Sequence, residues 1–326
     1  MVADRPITLE NTVGKVLESI MADHLSYLCE TFNLLPKHHF GGRPGRTTED
    51  AMLILSESIH RAWKKGNVFS AILMDVAGAF NNVHHERLIH NMRKRKIPVE
   101  ITRWILSFLS DRTTRMRFNG IITDLIPTPT GIPQGSPLSP ILYVLYNSDL
   151  LDIVKGEKQL GLGYIDDILY GVQNKMTLGN TRELRQLLVQ SEQWRQQHGA
   201  QFEKSKYVLI HFTRNSSVKM EASVTISGTK IEPSEEAKYL GVTFDQKLKF
   251  HSHVKQVVAK VTKYALAIAG IAKSRWGPEF KYLKRLFTAV AAPRMDYAAI
   301  IWHRPKTHAP HQPHRNYEYF PRYKAE

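Results

Sequence analysis

The sequence predicts an α+β fold in which an antiparallel sheet is backed by helices. Short apolar runs come in pairs around turn signals such as Asn119-Gly120, and segments with helical spacing separate these pairs. A further run at 68–76 is almost wholly apolar and carries one charge, Asp75, as is typical of a strand buried on both faces. With 42% hydrophobic residues in 326, the chain can bury a sizeable core, which excludes wholesale disorder.

The first half of the chain begins with two predicted helices. Apolar residues near 3.6-residue spacing predict a helix over 10–32, and its predicted buried face comprises Val13, Val16, Leu17, Ile20, Leu25 and Leu28. The capping sequence TTED at 47–50 starts a second helix that runs to Ile59. Beyond the strand at 68–76, helices are expected at 85–95 and 99–109, followed by a hairpin of 115–118 with 121–126.

The second half continues with a helix at 138–151 and a hairpin of 160–164 with 168–172. A helix at 178–198 and strands at 207–212, 224–231 and 239–244 follow. Long helices rich in Lys and Ala, at 253–273 and 279–291, change the character of the chain near residue 247. We therefore predict one domain over 1–246, a helical region over 247–302, and a Pro/His-rich disordered tail over 303–326.

Charge and cysteine content narrow the function. Lys and Arg number 45 against 30 Asp and Glu, so the net charge is +15 and the pI is near 9.7. This is the charge balance of nucleic-acid-binding proteins, although anionic membranes and ribosomes remain alternative partners. A single cysteine, Cys29, excludes an intrachain disulfide framework and a zinc site of several thiolates. The longest apolar runs fall short of the ~18 residues of a membrane span, so no membrane partner is expected.

Carboxylates in apolar surroundings are the main chemical signal. Asp75 lies near the end of an apolar strand, and Asp166 and Asp167 lie between two apolar strand halves. Burying such groups is costly without a compensating partner, and neither strand contains a Lys or Arg. Divalent metal ions are the natural partner, because Mg²⁺ prefers carboxylate oxygens together with substrate phosphates. The alternative for Asp167 is an ordinary turn residue.

Seven segments of the chain form an ordered series of motifs. The central ones are LMDVAGAFNNVHHERL at 73–88, TGIPQGSPLSPILYVLYNSDL at 130–150 and YIDD at 164–167. Others are RPITLENTVGKVLE, FGGRPGRTTEDA, KSKYVLIHF and KYLGVTFD. In order and spacing they resemble motifs of reverse transcriptases, and the resemblance is greatest to those of non-LTR (LINE-like) retrotransposons. It covers roughly residues 5–245, and a weaker similarity to the thumb extends through PRMDYAAIIW.

This resemblance implies a right-hand polymerase with fingers and palm over 1–246, with a shortened fingers N-terminus, and a thumb over 247–302. It implies an RNA template, a DNA primer and dNTPs as partners, and Mg²⁺ as the cofactor, with Mn²⁺ as an alternative. Asp75 and Asp166 would bind both metals, Asp167 would assist, and the Val76 carbonyl would be a further ligand.

Phe80 would lie under the incoming sugar and select dNTPs, with core packing as the alternative. Gln134 and Gly135 would border the nucleotide, and the missing Cβ of Gly135 would let backbone approach the substrate.

The resemblance also implies basic and aromatic contacts to the substrates. Candidates for the triphosphate or template backbone are Arg5, Lys15, Arg43 and Arg46, with a solvated surface role as the alternative. Candidates for primer–template contacts are Tyr164, Lys204, Lys206, Tyr239, Leu240 and Gly241. A thumb helix would follow the duplex phosphates with Lys255, Lys260, Lys263 and Lys273, although a charged solvent face would look the same.

Departures from the family pattern leave two functions open. Asn81 stands where these elements usually have aspartate, and Ala77 where they usually have a basic residue; neither is a metal ligand. No endonuclease segment precedes the motifs and no RNase H segment follows them, so we expect a truncated copy. The chain is either an active RNA-directed DNA polymerase or a non-catalytic nucleic-acid-binding remnant. A two-metal nuclease is disfavoured because it needs neither the PQG loop (Pro133-Gln134-Gly135) nor an aromatic residue under the sugar.

By analogy with LINE-like elements we expect an intracellular protein of the nucleus, with the mitochondrion and cytoplasm left open.

Overall fold

The computed structural model describes residues 7–272 and 277–303. Its helices are α1 (Thr12–Thr31), α2 (Thr48–Lys64), α3 (His85–Lys94), α4 (Val99–Leu109), α5 (Ser139–Asn147), α6 (Asp149–Asp152), α7 (Thr177–His198), α8 (His251–Ile271), α9 (Phe280–Leu286), α10 (Ala292–Asp296) and α11 (Ala299–Trp302). Its strands are β1 (Val68–Ala77), β2 (Thr113–Thr114), β3 (Arg117–Phe118), β4 (Ile121–Ile122), β5 (Ile126–Pro127), β6 (Gln159–Tyr164), β7 (Asp167–Asn174), β8 (Gln201–Phe202), β9 (Val208–Phe212), β10 (Val224–Ile226), β11 (Thr229–Ile231), β12 (Pro233–Ser234), β13 (Glu236–Tyr239) and β14 (Val242–Asp245).

The central sheet has the strand order β12–β9–β1–β7–β6, and β8 pairs with the end of β1. Strand β1 pairs antiparallel with both β7 and β9, and β6 pairs antiparallel with β7. Strand β12 pairs parallel with β9, and an isolated parallel bridge joins His39 to Gly163 of β6. The predicted antiparallel sheet is therefore confirmed, and the strand that carries Asp75 lies at its centre.

Side chains of β1 alternate between two cores, because successive residues of a strand point to opposite faces. Ile72, Met74 and Val76 pack with α3, α4, α5 and α7 in one core. Phe69 and Ala71 pack in the other core, which contains the apolar face of α2 and the inner residues of β13 and β14. This alternation explains why β1 is an almost continuous apolar run.

Most predicted elements are present, with different boundaries. The helix expected at 138–151 is divided into α5 and α6, and at the junction Ser148 Oγ donates to the carbonyl of Leu145. The helix expected at 279–291 is α9 followed by a π-helical stretch, Phe287–Ala291. The hairpin at Asn119-Gly120 is present as β3 and β4.

Helix α1 forms as predicted, but most of its predicted apolar face is exposed. Val13, Val16, Leu17 and Ile20 are more than half exposed. Leu25 of the predicted face is buried and Leu28 is half-buried, and the other buried residues of the helix are Glu18 and Cys29. The amphipathic pattern predicted the helix but not which of its faces packs. Within the described residues, the face that packs near α5 carries Leu25 and Cys29, with Met21 and Ala22 partly buried beside them.

The C-terminal helices rest on α2 and on the hairpin of β13 and β14. Tyr297 Oη donates to the Leu240 carbonyl at 2.8 Å, and the Ala298 amide donates to Glu49 Oε1 at 3.1 Å. Helix α8 exposes most of its surface and buries only His253. Among the described helices, none combines the length and the apolar character needed to span a membrane. The predicted tail lies outside the described residues, except for His303.

Candidate active site

Three aspartates meet at one end of the central strands. Asp75 of β1 is directly opposite Asp167 of β7 in the antiparallel register. Tyr164 pairs with Asp167 across the β6–β7 hairpin, so Ile165 and Asp166 form its two-residue turn. Ile165 has a φ of +55°, a left-handed conformation that β-branched residues rarely adopt. The fold thus brings together carboxylates that are about ninety positions apart in the sequence.

The charges of these aspartates repel one another. Burial, together with the charges of Asp166 and Asp75, raises the pKa of Asp167 to about 6. Like charges directly opposite on paired strands destabilise a sheet. A cation at this position would remove the repulsion.

Lys206 supplies one such cation. Its Nζ lies 2.8 Å from Asp75 Oδ2, and its side chain is 61% exposed whereas that of Asp75 is 28% exposed. Lys206 is the last residue of a short 3₁₀ turn, Lys204–Lys206. The residue before this turn, Glu203, is held next to β1, because its amide donates to the Asp75 carbonyl at 3.2 Å. The strands themselves contain no Lys or Arg, and the basic partner of Asp75 comes from a separate turn.

Carboxylate oxygens are the type of ligand that a divalent ion such as Mg²⁺ prefers. Within the described residues no three His, Cys, Asp or Glu side chains form a closed set of metal ligands. Mg²⁺ does not need one, since it usually takes one or two carboxylates and completes its shell with phosphates and waters. The mutual repulsion of Asp75, Asp166 and Asp167 is the electrostatic condition that such an ion relieves.

Phe80 follows β1, five residues after Asp75. Its ring stacks on Tyr143 of α5, and its carbonyl accepts a hydrogen bond from the Ile132 amide at 2.8 Å. Tyr143 is completely buried, and its hydroxyl has no hydrogen-bond partner among the described residues. Burial and the charges of Asp166 and Asp75 raise the pKa of Tyr143 well above its ordinary value. Phe80 is thus half-buried, on an aromatic base close to the aspartates.

The PQG loop is in contact with the start of the described chain. The Gln134 carbonyl accepts a hydrogen bond from the Thr8 amide at 2.8 Å. Gly135 has a φ of +129°, and a Cβ there would lie 2.9 Å from the Thr8 carbonyl oxygen. The missing Cβ of Gly135 therefore accommodates the backbone of this same chain at Thr8. The resemblance also implied a close approach of the Gly135 backbone, but to a substrate and not to Thr8.

The family model described as reverse transcriptase (RNA-dependent DNA polymerase) matches residues 3–244. The chain belongs to the reverse transcriptase family.

The relatives include products of non-LTR retrotransposons, which confirms the predicted resemblance. The chain is 25% identical over 303 residues to the probable RNA-directed DNA polymerase from transposon BS of Drosophila melanogaster. It is 25% identical over 307 residues to the RNA-directed DNA polymerase from mobile element jockey of the same species. In both cases 91% of this chain aligns with 33% of the relative. The chain therefore spans about a third of the length of these curated relatives.

Among solved structures, apo telomerase from Candida tropicalis truncated from its C-terminal domain matches with a TM-score of 0.50 and 16% identity. The match covers 72% of this chain and 44% of the telomerase chain. It shows the fold, which is the right-hand polymerase fold.

Arg43 of this reverse transcriptase chain is committed to internal partners. Its side chain is 2% exposed and pairs with Glu30, with Nη2 at 2.9 Å from Glu30 Oε2. Its Nη1 donates to the carbonyls of Pro36 and His39 at 2.7 and 3.0 Å. Every guanidinium nitrogen of Arg43 is thus bonded within the protein, so the predicted contact with triphosphate or template would have to replace one of these bonds.

Arg46 and Lys15 are more accessible. Arg46 donates to the Lys37 carbonyl at 2.6 Å and lies 3.3 Å from Glu30 Oε2, with 23% of its side chain exposed. Lys15 is half-buried on α1, where its charge counteracts a rise in the pKa of Glu10. Burial and a hydrogen bond with Glu18 raise that pKa to about 7, and Glu18 in turn accepts a hydrogen bond from Ser136 of the PQG loop.

The predicted primer–template residues lie on separate elements: Lys204 and Lys206 in a 3₁₀ turn, Tyr164 in β6, and Tyr239, Leu240 and Gly241 in the β13–β14 hairpin. Lys204 Nζ is 3.4 Å from Glu192 Oε1. Tyr239 is buried, and burial together with the charge of Asp167 raises its pKa. Leu240 and Gly241, with φ values of +45° and +89°, form the turn between β13 and β14. Tyr164 is half-buried at the end of β6.

The remaining basic candidates divide by position. Lys255, Lys260 and Lys263 are exposed on α8, within an arc of about 140° at 100° per residue. Arg5 and Lys273 lie outside the described residues.

Sequence reasoning missed three residues near the aspartates. Tyr143, Asn147 and His39 are completely buried. Tyr143 stacks on Phe80, Asn147 donates to the Ile165 carbonyl, and His39 is hydrogen-bonded to Asn147. The sequence held a signal for Asn147, which is a lone amide at the end of the apolar run SPILYVLYN. A buried amide needs hydrogen-bond partners, so its position predicts a polar contact inside the core.

Proposed function

We propose that this chain is an RNA-directed DNA polymerase that adds dNTPs to the 3′-hydroxyl of a DNA primer on an RNA template. The observation that carries the proposal is the register of β1 and β7, which places Asp75 opposite Asp167 beside the Asp166 turn. Membership of the reverse transcriptase family over residues 3–244 supports the reaction type.

The aspartates would hold divalent metal ions, as members of this family do in general. Asp75 and Asp166 would provide carboxylates to both ions, Asp167 would assist, and the Val76 carbonyl would be a further ligand. When bound, Mg²⁺ (or Mn²⁺) lowers the pKa of the primer hydroxyl and neutralises charge on the triphosphate. The electrostatic repulsion between Asp167 and its neighbours Asp166 and Asp75 supports this assignment, because a cation bound by these carboxylates would offset it.

Residues around the aspartates would position the substrates. Phe80, supported by Tyr143, would lie under the sugar and disfavour a ribose 2′-hydroxyl. Gln134 and Gly135 would border the nucleotide beside Thr8. In the substrate complex Lys206 would exchange its bond to Asp75 for phosphate oxygens of the primer–template, since its Nζ is already at the site and largely exposed.

Basic and aromatic residues further out would hold the nucleic acids. Arg46 and Lys15 would face the template or triphosphate, and Arg5 would join them. Lys204, Tyr164 and the turn Tyr239–Gly241 would face the primer–template, and the lysines of α8 would follow its phosphates. A net charge of +15 supports binding to a polyanion.

Primer extension on an RNA template tests the proposal directly. The wild-type protein, Asp75→Asn and Asp166→Asn are compared in Mg²⁺ and in Mn²⁺, with dNTPs and with rNTPs. Asp23→Asn is the matched control, because Asp23 is exposed on α1. We expect extension with dNTPs by the wild-type and control proteins and none by the other two.

A different outcome would identify the alternative function. If the wild-type protein binds RNA and DNA in a salt-dependent manner without extending the primer, the polymerase proposal is wrong and the chain is a non-catalytic nucleic-acid-binding protein. Metal-dependent cleavage of the template in the absence of dNTPs would indicate a nuclease.

A further inference from the structure

A buried hydrogen-bonded chain connects the segment 38–43 to the turn of the aspartate hairpin. Asn147 and His39 are both 0% exposed. Asn147 Nδ2 donates to the carbonyl of Ile165, and Asn147 Oδ1 lies 2.9 Å from His39 Nε2. Because the amide oxygen can only accept, His39 Nε2 carries the proton, and the imidazole is the neutral Nε2–H tautomer.

The turn that receives this bond is conformationally demanding. Ile165 has a φ of +55°, which only the surrounding structure can maintain for a β-branched residue. Its carbonyl is bonded to Asn147, and the next residue is Asp166, whose carboxylate the proposed reaction needs. A small rotation of the Ile165 peptide would therefore move the Asp166 side chain.

The neighbouring segment also presses against the turn. The Phe40 amide donates to the Gly163 carbonyl at 2.8 Å, and the Gly163 amide donates to the His38 carbonyl at 3.0 Å. A Cβ on Gly41 would lie 2.6 Å from the Ile165 nitrogen, so no other residue fits at this position without movement. Arg43 fixes the segment to α1 through Glu30.

We infer that Asn147 is a positioning residue that sets the Asp166 turn, with His39 as its buried support, and this inference rests on the proposed polymerase function. Asn147 touches neither substrate nor metal. It acts through the Ile165 carbonyl, and His39 acts through Asn147.

The chain offers a closely matched control. Asn91 is 1% exposed, and its Nδ2 donates to the Tyr146 carbonyl at 2.8 Å and lies 3.0 Å from His198 Nε2. It thus links a buried imidazole to a backbone carbonyl, as Asn147 does, but the carbonyl belongs to Tyr146 of α5 rather than to the aspartate turn. Asn91→Leu measures the general cost of losing such an amide.

The experiment compares Asn147→Leu, Asn91→Leu, His39→Leu and His39→Gln by hydrogen–deuterium exchange and by primer extension. For Asn147→Leu we expect exchange at residues 164–168 at least tenfold faster than in the wild-type protein, with α4 unchanged. We expect kcat to fall at least tenfold while the KM for dNTP stays within twofold. Asn91→Leu should show neither effect per folded molecule.

The two His39 variants test the same inference independently, and they suffice if Asn147→Leu does not fold. His39→Gln keeps a donor for Asn147 Oδ1 and should behave as the wild-type protein, whereas His39→Leu should share the effects of Asn147→Leu. Exchange at 164–168 no faster than in Asn91→Leu, or no difference between the two His39 variants, would overturn the inference. Absence of extension by the wild-type protein would refute only the proposed function, because the exchange comparison does not depend on activity.

Discussion

The ring of Phe80 stacks on the ring of Tyr143, with centroids 5.3 Å apart and planes inclined by 19°. Stacked aromatic pairs contribute about 0.5–1.5 kcal/mol beyond the area they bury. Tyr143 therefore holds Phe80 in one orientation beside the aspartates. A residue that selects nucleotides by steric exclusion needs such support, since a mobile ring excludes little.

Phe80→Ala is expected to weaken discrimination against rNTPs. Removing the ring opens space for the ribose 2′-hydroxyl, and we expect the ratio of kcat/KM for dNTP over rNTP to fall about tenfold or more, equivalent to about 1.4 kcal/mol. Single-nucleotide incorporation with each substrate measures the ratio. Tyr143→Phe keeps the stack and should leave the ratio unchanged, whereas Tyr143→Ala should lower it. An unaltered ratio in Phe80→Ala would assign Phe80 to core packing alone.

Lys206→Met is expected to lower the Mg²⁺ concentration needed for half-maximal extension. The ammonium competes with the metal for Asp75, and an exposed ion pair contributes at most about 1 kcal/mol, so the shift should not exceed about fivefold. A Mg²⁺ titration of the initial rate measures it. Lys204→Met is the control, since Lys204 pairs with Glu192 rather than with an active-site aspartate. An increased Mg²⁺ requirement would contradict this competition.

Arg43→Met is expected to destabilise the protein without raising the KM for dNTP in the folded fraction. Loss of the guanidinium leaves Glu30 and two carbonyls without their donor, at a cost of about 1–3 kcal/mol. Adding Glu30→Gln should recover part of this loss, because the unpaired charge is removed. Urea unfolding and dNTP kinetics measure both effects. A raised KM that persists in the double variant would restore the predicted contact with the triphosphate.

Replacement of Lys255, Lys260 and Lys263 by Gln is expected to reduce the salt dependence of duplex binding. Each lost phosphate contact lowers the slope of log K against log salt by about one. Binding of an RNA–DNA duplex by anisotropy at several salt concentrations measures the slope. Replacing the exposed Lys64, Lys155 and Lys158 gives the same change in net charge on other elements. Equal slopes for the two triple variants would mean that α8 presents only a solvated charged face.

Acidification from pH 6.5 to pH 4 is expected to reduce stability through His39. Burial lowers the pKa of His39 to about 4, against 6.5 for an ordinary imidazole. In this interval the unfolded chain binds a proton that the folded protein does not, so the free energy of unfolding falls by about 1 kcal/mol per pH unit as pH decreases. Above pH 6.5 the contribution of His39 is constant.

Urea unfolding of the wild-type protein and His39→Gln at several pH values isolates this contribution. His39→Gln should show the shallower decline, and His198, whose pKa burial also lowers to about 4, remains in both proteins. Parallel curves for the two proteins would show that His39 takes up its proton equally in the folded and unfolded states.

The sequence by itself determined the class of fold, most of the elements and the identity of the aspartates. Alternation and turn chemistry are local properties, so the hairpin of β6 and β7 and the apolar strand around Asp75 could be predicted from neighbouring residues. The order of the motifs was sufficient for the family, which the match over residues 3–244 confirms.

Tertiary structure alone decided which residues meet. Lys206 lies 131 positions from Asp75, Asn147 lies 108 from His39, and no periodic pattern connects residues that far apart. The apolar stripe of α1 shows the same limit, because spacing predicts a helix but does not name the surface that covers it. Arg43 belonged to a motif rich in basic residues, and only its burial against Glu30 distinguishes it from the more exposed Arg46. The physical reason is that burial and pairing are properties of the packed chain, which local sequence does not specify.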